Sequence, residues 1–341
     1  PASALLEVLD PQQNNTFTDH YLDLPFDLSR VLFFTTANWL DPIQPALRDR
    51  LEVIELPSYT TSEKLAIAKR HLLPRQLEEH GLTAKRVKIS DATLRHLITD
   101  YTREAGVRQL EREIASVTRK AARDIVRRGD DAKPVVIKPE RLPELLGPAR
   151  FISEDAERIQ DSGIAIGLAW TPVGGEILYI EATMMPGSGR LILTGSLGEV
   201  MKESAQTATS YLRSQARALK LELPEHDKWD VHIHVPAGAT PKDGPSAGLT
   251  IAMALASLAR KTPVRSDTAM TGEISLRGRV LRVGGIKEKV LAAARSGLKQ
   301  LILPAGNRND WQEVPEETRK KLKVHFVERI SEALPLALKK A

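Results

Sequence analysis

The sequence predicts an α+β protein in three parts, and three observations carry that expectation. A near-continuous β-rich apolar run, Val31-Leu32-Phe33-Phe34-Thr35-Thr36, lies in an acidic leading segment. A stretch with apolar residues at helical spacing follows over 57–150. From about Ser162 onward, short strands alternate with helices. At roughly 100–200 residues per domain, 341 residues provide for two or three domains. The expected bounds are 1–56, 57–150 and 151–341.

In the first part, seven acidic residues stand against three arginines among the first fifty. Val31–Thr36 reads as a strand buried on both faces, and Leu51-Glu52-Val53-Ile54-Glu55-Leu56 as a second short strand closing at Pro57. Two strands do not make a stable sheet, so this part reads as the remnant of a larger α/β domain. In the second part, Thr60-Thr61-Ser62-Glu63 is a capping box opening a helix that runs to about Gly81, with Pro74 as a kink or break. Ser90 caps another helix carrying Leu94, Leu97 and Ile98. A third follows Gly106, with Val107, Leu110, Ile114, Val117 and Ala121 three to four residues apart, and ends near Gly129-Asp130-Asp131. Pro134 to Pro148, with four prolines, reads as a strand and linker.

In the third part the predicted order is strand Ile177–Glu181, strand Leu191–Leu193, helix Glu199–Ala218 and strand Val231–Val235. A loop after Pro236 then leads to an apolar helix following Ser246, a hairpin over Ile274–Leu281, a helix from Ile286, strand Gln300–Leu303 and a final helix. His325 lies in the strand-like segment Lys323–Val327.

Composition narrows the function classes. An apolar fraction of 42% and a charged fraction of 27% exclude a disordered or fibrous chain. A surplus of +5 charges is too mild to mark a nucleic-acid binder. Cysteine is absent, which removes a disulfide framework, a thiol nucleophile and Cys-ligated zinc. The longest uncharged apolar stretch, Ala247–Ala259, falls short of the roughly 20 residues of a membrane span. The opening Pro1-Ala2-Ser3 carries no initiator Met and no signal peptide, so a fragment or processed product in the cytoplasm is expected.

The most informative segment is Thr240-Pro241-Lys242-Asp243-Gly244-Pro245-Ser246-Ala247-Gly248. Small residues leave the Ser246 hydroxyl approachable, and the apolar helix after it places Ser246 at a helix N-terminus. Free N–H groups and the positive dipole end there stabilise an oxyanion. The commonest use of serine at that position is as a plain N-cap. Gly244–Gly248 also fits the G-x-S-x-G elbow of α/β-hydrolases, but a Pro/Gly loop precedes it and the only later histidine is His325. A small-molecule kinase using the same loop as a phosphate cradle stays open, although no G-x-x-x-x-G-K-[ST] loop occurs. A pure binding module is the third class, with Arg112, Arg119, Arg123, Arg127 and Arg128 on one helix facing nucleic acid. Glu111, Glu113 and Asp124 share that helix and favour a solvated face.

Lysine is the other base able to activate Ser246, provided burial lowers its pKa towards about 7–8. Lys287 and Lys289 both lie in Gly284-Gly285-Ile286-Lys287-Glu288-Lys289-Val290, and periodicity does not choose between them. His232 and His234 alternate along a strand and share a face, but two histidines without a third ligand make a poor metal site, and no metal is expected.

Pro241–Gly248, Met270-Thr271-Gly272-Glu273 and Gly284–Lys289, in that order and spacing, resemble the signature segments of Lon proteases. The resemblance extends to Pro1–Asn14 and to Leu193–Glu199, over essentially the whole chain. It implies an ATP-dependent serine endopeptidase of the bacterial A-type, with Ser246 as nucleophile and Lys289, 43 positions on, as general base. Thr271 is then the threonine that orients the lysine amine, and Asp243 shapes the site or pairs with a cation. The resemblance makes 1–56 the tail of an AAA+ α/β subdomain, 57–150 its helical lid with linker, and 151–341 the proteolytic domain. Asn38 matches the sensor that positions the attacking water, Arg50 the arginine finger and Arg108 the lid arginine that senses nucleotide.

The phosphate-binding loop and Walker B acidic pair are missing from this chain. ATP and Mg therefore belong to the intact protein, and peptide hydrolysis here is expected to need no cofactor. The implied partners are unfolded polypeptides and five further copies in a homohexamer. DNA is a weaker expectation, and no membrane partner is expected.

Overall fold

The computed structural model describes the chain apart from residues 1, 20, 38, 39, 41, 55, 57, 130–132, 152–160, 172, 173, 224, 226, 227, 237, 239, 340 and 341. It divides into two compact units, Pro1–Pro57 and Ser58–Ala341.

The first unit holds helix α1 (Ala2–Val8), hairpin β1 (Phe17–Asp19) and β2 (Leu24–Phe26), and helix α2 (Pro45–Arg48). The Asp19 carboxylate shapes the hairpin turn by accepting from the Tyr21 and Leu22 N–H groups, each at 2.8 Å. Among the described residues the two strands expected here do not form. Val31–Thr36 is unpaired, with Leu32 78% and Phe34 85% exposed, and no strand runs through the described residues of 51–56. A strand buried on both faces needs neighbouring strands and covering layers. Among the described residues of this unit no apolar side chain is buried, so neither run has anything to pair with or pack against.

The second unit begins with the helical part. Helix α3 (Thr61–Ile67) opens on the expected capping box, with the Thr60 side chain accepting from the Glu63 N–H and Glu63 returning the bond. A π-helical turn, Ala68–Leu72, joins it to α4 (Leu73–Glu79). Pro74 explains that turn: it lacks an N–H, and its ring crowds the carbonyl four residues back, so the helix widens ahead of it. After β3 (Val87–Ile89), Ser90 caps α5 (Asp91–His96), which continues as a π-helical turn, Leu97–Tyr101. The long helix α6 (Arg108–Arg128) stops at Gly129, whose φ of 83° lies in the region glycine favours. Leu94, Leu97, Leu110, Ile114 and Val117 form the local core.

The segment read as a linker belongs to that core. Strand β4 (Val135–Ile137) pairs in parallel with β3, and α7 (Leu142–Leu146) buries Leu142 and Leu145 in it. Proline at the first helical turn starts a helix as readily as it interrupts one, which is why Pro143 misled the linker reading.

The remainder is a mixed sheet with helices. Its elements are β5 (Ile164–Thr171), β6 (Gly174–Pro186), β7 (Leu191–Thr194), α8 (Glu199–Ser214), β8 (Trp229–His234), α9 (Gly248–Ala259) and β9 (Thr268–Met270). There follow β10 (Glu273–Ile274), β11 (Val280–Leu281), α10 (Ile286–Arg295), β12 (Gln300–Pro304), α11 (Arg308–Gln312), α12 (Glu316–Arg319), β13 (Lys323–Val327) and α13 (Ile330–Ala337). Among the described residues the large sheet runs β13-β12-β9-β5-β6-β8-β7, with β10 and β11 a separate hairpin.

Helix α9 is apolar on every side and almost wholly buried, packed against β5, β6, α8 and α13. Its fixed position sets the turn before it. Two strands went unread in the sequence: β5 is interrupted by Gly167, and β9 is only three residues long.

Candidate active site

Ser246 lies in a 3-10 turn, Pro245–Ala247, directly ahead of α9, and is half-exposed in a cleft of 810 Å³. Gly244, with φ 123°, turns the chain into it. The Ser246 carbonyl is held from two directions, by the Gly272 N–H at 2.9 Å and the Thr271 hydroxyl at 3.2 Å. Because Thr271 and Gly272 follow β9 immediately, the sheet itself fixes the serine turn.

Lys289 enters from the first turns of α10. The residue is 2% exposed, and its ammonium donates to Thr271 Oγ1 at 3.1 Å. The Thr271 hydroxyl thus accepts from Lys289 and donates to the Ser246 carbonyl, linking the amine to the serine turn. Burial lowers the Lys289 pKa from 10.5 to about 8. Lys287 is only half-buried, so the structure separates two lysines that periodicity left equivalent. Helix α10 can sit this close to the sheet because Gly285 caps it at φ 68°. A Cβ there would come within 2.8 Å of the Trp170 side chain.

Among the described residues Asp243 does not meet a cation. Its Oδ1 accepts from the Met201 N–H at 2.9 Å and the Gly244 N–H at 2.8 Å. It therefore caps α8 from a distant loop, where the helix's own N-cap, Gly198, has no side chain to offer. A Cβ on Gly198 would lie 2.3 Å from the Asp243 carboxyl carbon, so the close approach requires glycine.

The other candidates lie apart from this cluster. His325 is on β13, an edge strand separated from β9 by β12, which places the two strands roughly 10 Å apart at the usual strand spacing. It contacts Gln300 at 3.4 Å, and burial followed by nearby Lys323 and Arg265 lowers its pKa. With a loop ahead of Ser246 and no histidine among the described residues lining its cleft, the elbow arrangement gains no support. The phosphate-cradle alternative gains no support either, because the Leu249 N–H at the start of α9 is already given to the Gly272 carbonyl at 3.0 Å. His232 and His234 share a face as expected, and both contact Thr194 Oγ1, at 2.9 and 2.7 Å. Among the described residues no group of three metal-ligating side chains converges, and no helix is long and apolar enough to cross a membrane.

Of the nucleotide candidates, Arg50 is paired with Asp10 at 3.0 Å, Arg108 is exposed in the first turn of α6, and Asn38 lies outside the described residues. The sequence reading missed the contribution of the helical part to the cleft: Arg103, Arg150 and Phe151 line it together with Ser246 and Trp170. Arg103 lies 5.0 Å from the Phe151 ring centre and 3.5 Å from the Glu176 carboxylate. Nothing in the local pattern around these residues marks them, because the cleft forms only when the two parts pack.

Residues 136–340 match the family described as the Lon protease (S16) C-terminal proteolytic domain, and residues 78–135 match the Lon protease AAA+ ATPase lid domain. Over 99% of its length the chain is 55% identical to the Lon protease of Dictyoglomus thermophilum, 56% to that of Desulfosudis oleivorans and 59% to that of Phenylobacterium zucineum. It spans 43%, 41% and 42% of those proteins respectively. With a serine turn tied through a threonine to a buried lysine, and with these matches along its length, the chain belongs to the Lon protease family.

Proposed function

We propose that this chain is the peptidase-bearing part of a serine endopeptidase that cleaves unfolded polypeptides through a Ser246–Lys289 dyad. The observation that carries the reading is the buried Lys289 amine, held near pKa 8 and joined through Thr271 to the serine turn. A neutral lysine amine has one lone pair and two N–H bonds. With an N–H directed to Thr271, the lone pair is left for the Ser246 proton.

In the proposed cycle, Ser246 Oγ attacks the peptide carbonyl while Lys289 takes the hydroxyl proton. Backbone N–H groups beside Ser246 hold the oxyanion, with the positive end of α9 behind them. Lys289 returns the proton to the leaving amine, which departs with the C–N bond electrons. A water then gives a proton to Lys289 and attacks the ester; the C–O bond breaks, Ser246 Oγ leaves with its electrons and takes that proton back from Lys289, and the acid is released. Trp170, Ile177 and Tyr179 give the cleft apolar surface, and Glu176 and Arg103 give it polar groups, a lining suited to an extended segment of varied sequence.

The residues present do not fit a nucleotide site. Arg50 is engaged by Asp10, and no phosphate-binding loop occurs in the sequence, so no step is routed through ATP or Mg. Hydrolysis by this chain is accordingly proposed to need no cofactor and to act on substrates that are already unfolded. Assembly as a homohexamer and a cytoplasmic location are part of the same proposal. Helix α6 turns Leu110, Ile114 and Val117 inward, while its Asp124 pairs with Arg123 and Arg141, which favours a solvated outer face over a DNA contact.

The test is covalent labelling with a peptidyl boronate or fluorophosphonate, followed by mapping of the modified residue. Labelling at Ser246, together with loss of casein cleavage in Ser246→Ala, is expected. Labelling elsewhere, or casein cleavage by Ser246→Ala at the wild-type rate, overturns the dyad.

A further inference from the structure

A second pocket, of 300 Å³, lies at the seam between the helical part and the outer face of α10, the helix that carries Lys289. Its walls bring together Lys64 of α3, Arg95 of α5, Arg103, Arg295 at the end of α10, and Lys321. Three carboxylates line it as well, Glu104, Glu288 and Glu317. Two of the three already have partners. Both Glu104 oxygens accept backbone N–H groups at the start of α6, from Gln109 at 2.9 Å and Leu110 at 2.8 Å. Glu317 takes the Lys321 ammonium at 3.1 Å and the Ser62 hydroxyl at 3.2 Å.

Two of the cations keep donors to spare. Lys64 is only 7% exposed, and among the described residues its ammonium donates one hydrogen bond, to the Glu104 carbonyl. An ammonium has three donors, so two remain for the pocket. Arg295 spends one Nη2 hydrogen on the Gly175 carbonyl at 2.8 Å, out of five donors on its guanidinium. Burial lowers the Lys64 pKa, the Glu104 carboxylate partly offsets that, and the neighbouring Arg295 lowers it again. Five cations and three carboxylates thus share the lining, which leaves the pocket net positive and favours an anion.

We propose that this seam pocket binds a small tetrahedral oxyanion of the phosphate class, with buried Lys64 as its inner donor and the exposed Arg295, Arg95 and Lys321 at its rim. The buried ammonium supplies charge-assisted hydrogen bonds from one side, and the planar guanidinium supplies a fork from the other. A bound oxyanion ties α3 of the helical part to α10, so it stiffens the seam directly behind the helix that bears Lys289. The site stands independently of the dyad, because its readout is binding and not peptide hydrolysis.

The test is calorimetric titration of the whole chain with inorganic phosphate and, separately, pyrophosphate, with ionic strength held constant by sodium chloride. Saturable binding by the wild-type chain is expected, with a matching rise in melting temperature. Lys64→Met should weaken it about tenfold or more, and Lys64→Arg should retain most of it. Should Lys64→Met fail to fold, the rim pair Arg95→Gln with Lys321→Gln is expected to weaken binding by a few-fold. Absence of saturable binding to the wild-type chain, or wild-type affinity in Lys64→Met or in the rim pair, overturns the proposal.

Discussion

Replacing Lys289 by methionine isolates the cost of burying its amine. A fall in pKa from 10.5 to about 8 is about 2.5 units. At 1.36 kcal/mol per unit it corresponds to about 3 kcal/mol of stability withheld from the native state. Below pH 8 both native and unfolded chains carry the proton, and the whole penalty applies. Between about pH 8 and 10.5 the unfolded chain still binds a proton that the native chain has lost, so wild-type stability rises with pH. Above 10.5 neither state is charged at this site, and the penalty is gone. Methionine keeps the length of the stem and removes the titration, at the loss of the hydrogen bond to Thr271, worth about 1 kcal/mol. Lys289→Met should therefore be more stable than wild type by about 2 kcal/mol at pH 7 and slightly less stable at pH 10.5 and above. Denaturant midpoints measured from pH 6.5 to 10.5 check this. A stability difference that stays flat across that range refutes the depressed amine, and with it the physical basis for a lysine base.

The same titration sets the peptidase profile: activity should rise about tenfold per pH unit below 8 and level off above it, and a flat profile from pH 6 to 9 would exclude Lys289 as the base. Lys289→Arg should be inactive, because a guanidinium keeps its proton, whereas Lys287→Ala should remain active; casein turnover by both variants decides between the two lysines. His325→Ala on the edge strand should retain activity within a few-fold and shift the melting temperature only slightly; loss of activity in a folded variant would restore a histidine mechanism. Asp243→Ala should cost about 1 kcal/mol of stability through the lost cap on α8 and reduce activity with it, while Asp243→Asn should recover much of the stability. Equal stability of wild type and Asp243→Ala in denaturant would remove that structural role.

Legibility in the sequence tracked how local the determining physics is. The caps at Thr60 and Ser90, the buried helix after Ser246 and the hairpin over Ile274–Leu281 depend on side chains a few residues apart, and each formed where the pattern placed it. Val31–Thr36 has a strand's composition but no strand partner among the described residues of its unit, and composition carries no information about partners. Strands β5 and β9 were hidden for the opposite reason. They are held by neighbours on both sides of a sheet, so a glycine in one and the brevity of the other cost little. Within the site, Ser246 stood out through its surroundings, whereas Thr271 was marked only by the resemblance to the Lon segments. Lys289 could not be told from Lys287, because the difference is burial against β6 and that arises only from the packing of α10. The purpose of Asp243 was equally hidden, since the helix it caps begins some forty residues earlier.

These long-range ties explain how a serine on a glycine-rich loop keeps a defined position. The loop before Ser246 is fastened at one end by the Asp243 cap on α8 and by the Gly198 N–H to the Lys242 carbonyl at 2.8 Å. At the other end the buried start of α9 and the Gly272 N–H hold the Ser246 carbonyl and the turn behind it. Thr271 then connects this anchored turn to Lys289, whose own helix is pressed on the sheet through Gly285 and Trp170. The nucleophile and base candidates thus come from different helices, but both are referenced to the residues at the end of one central strand, β9. A shift of that strand would move both together and preserve their relation, whereas a change at Thr271 alters it directly. Thr271→Val keeps the shape of the side chain and removes the hydroxyl. It should therefore leave the sheet intact while releasing Lys289 from the serine turn, and a folded Thr271→Val protein with undiminished peptidase activity would show that the hydroxyl is not the link.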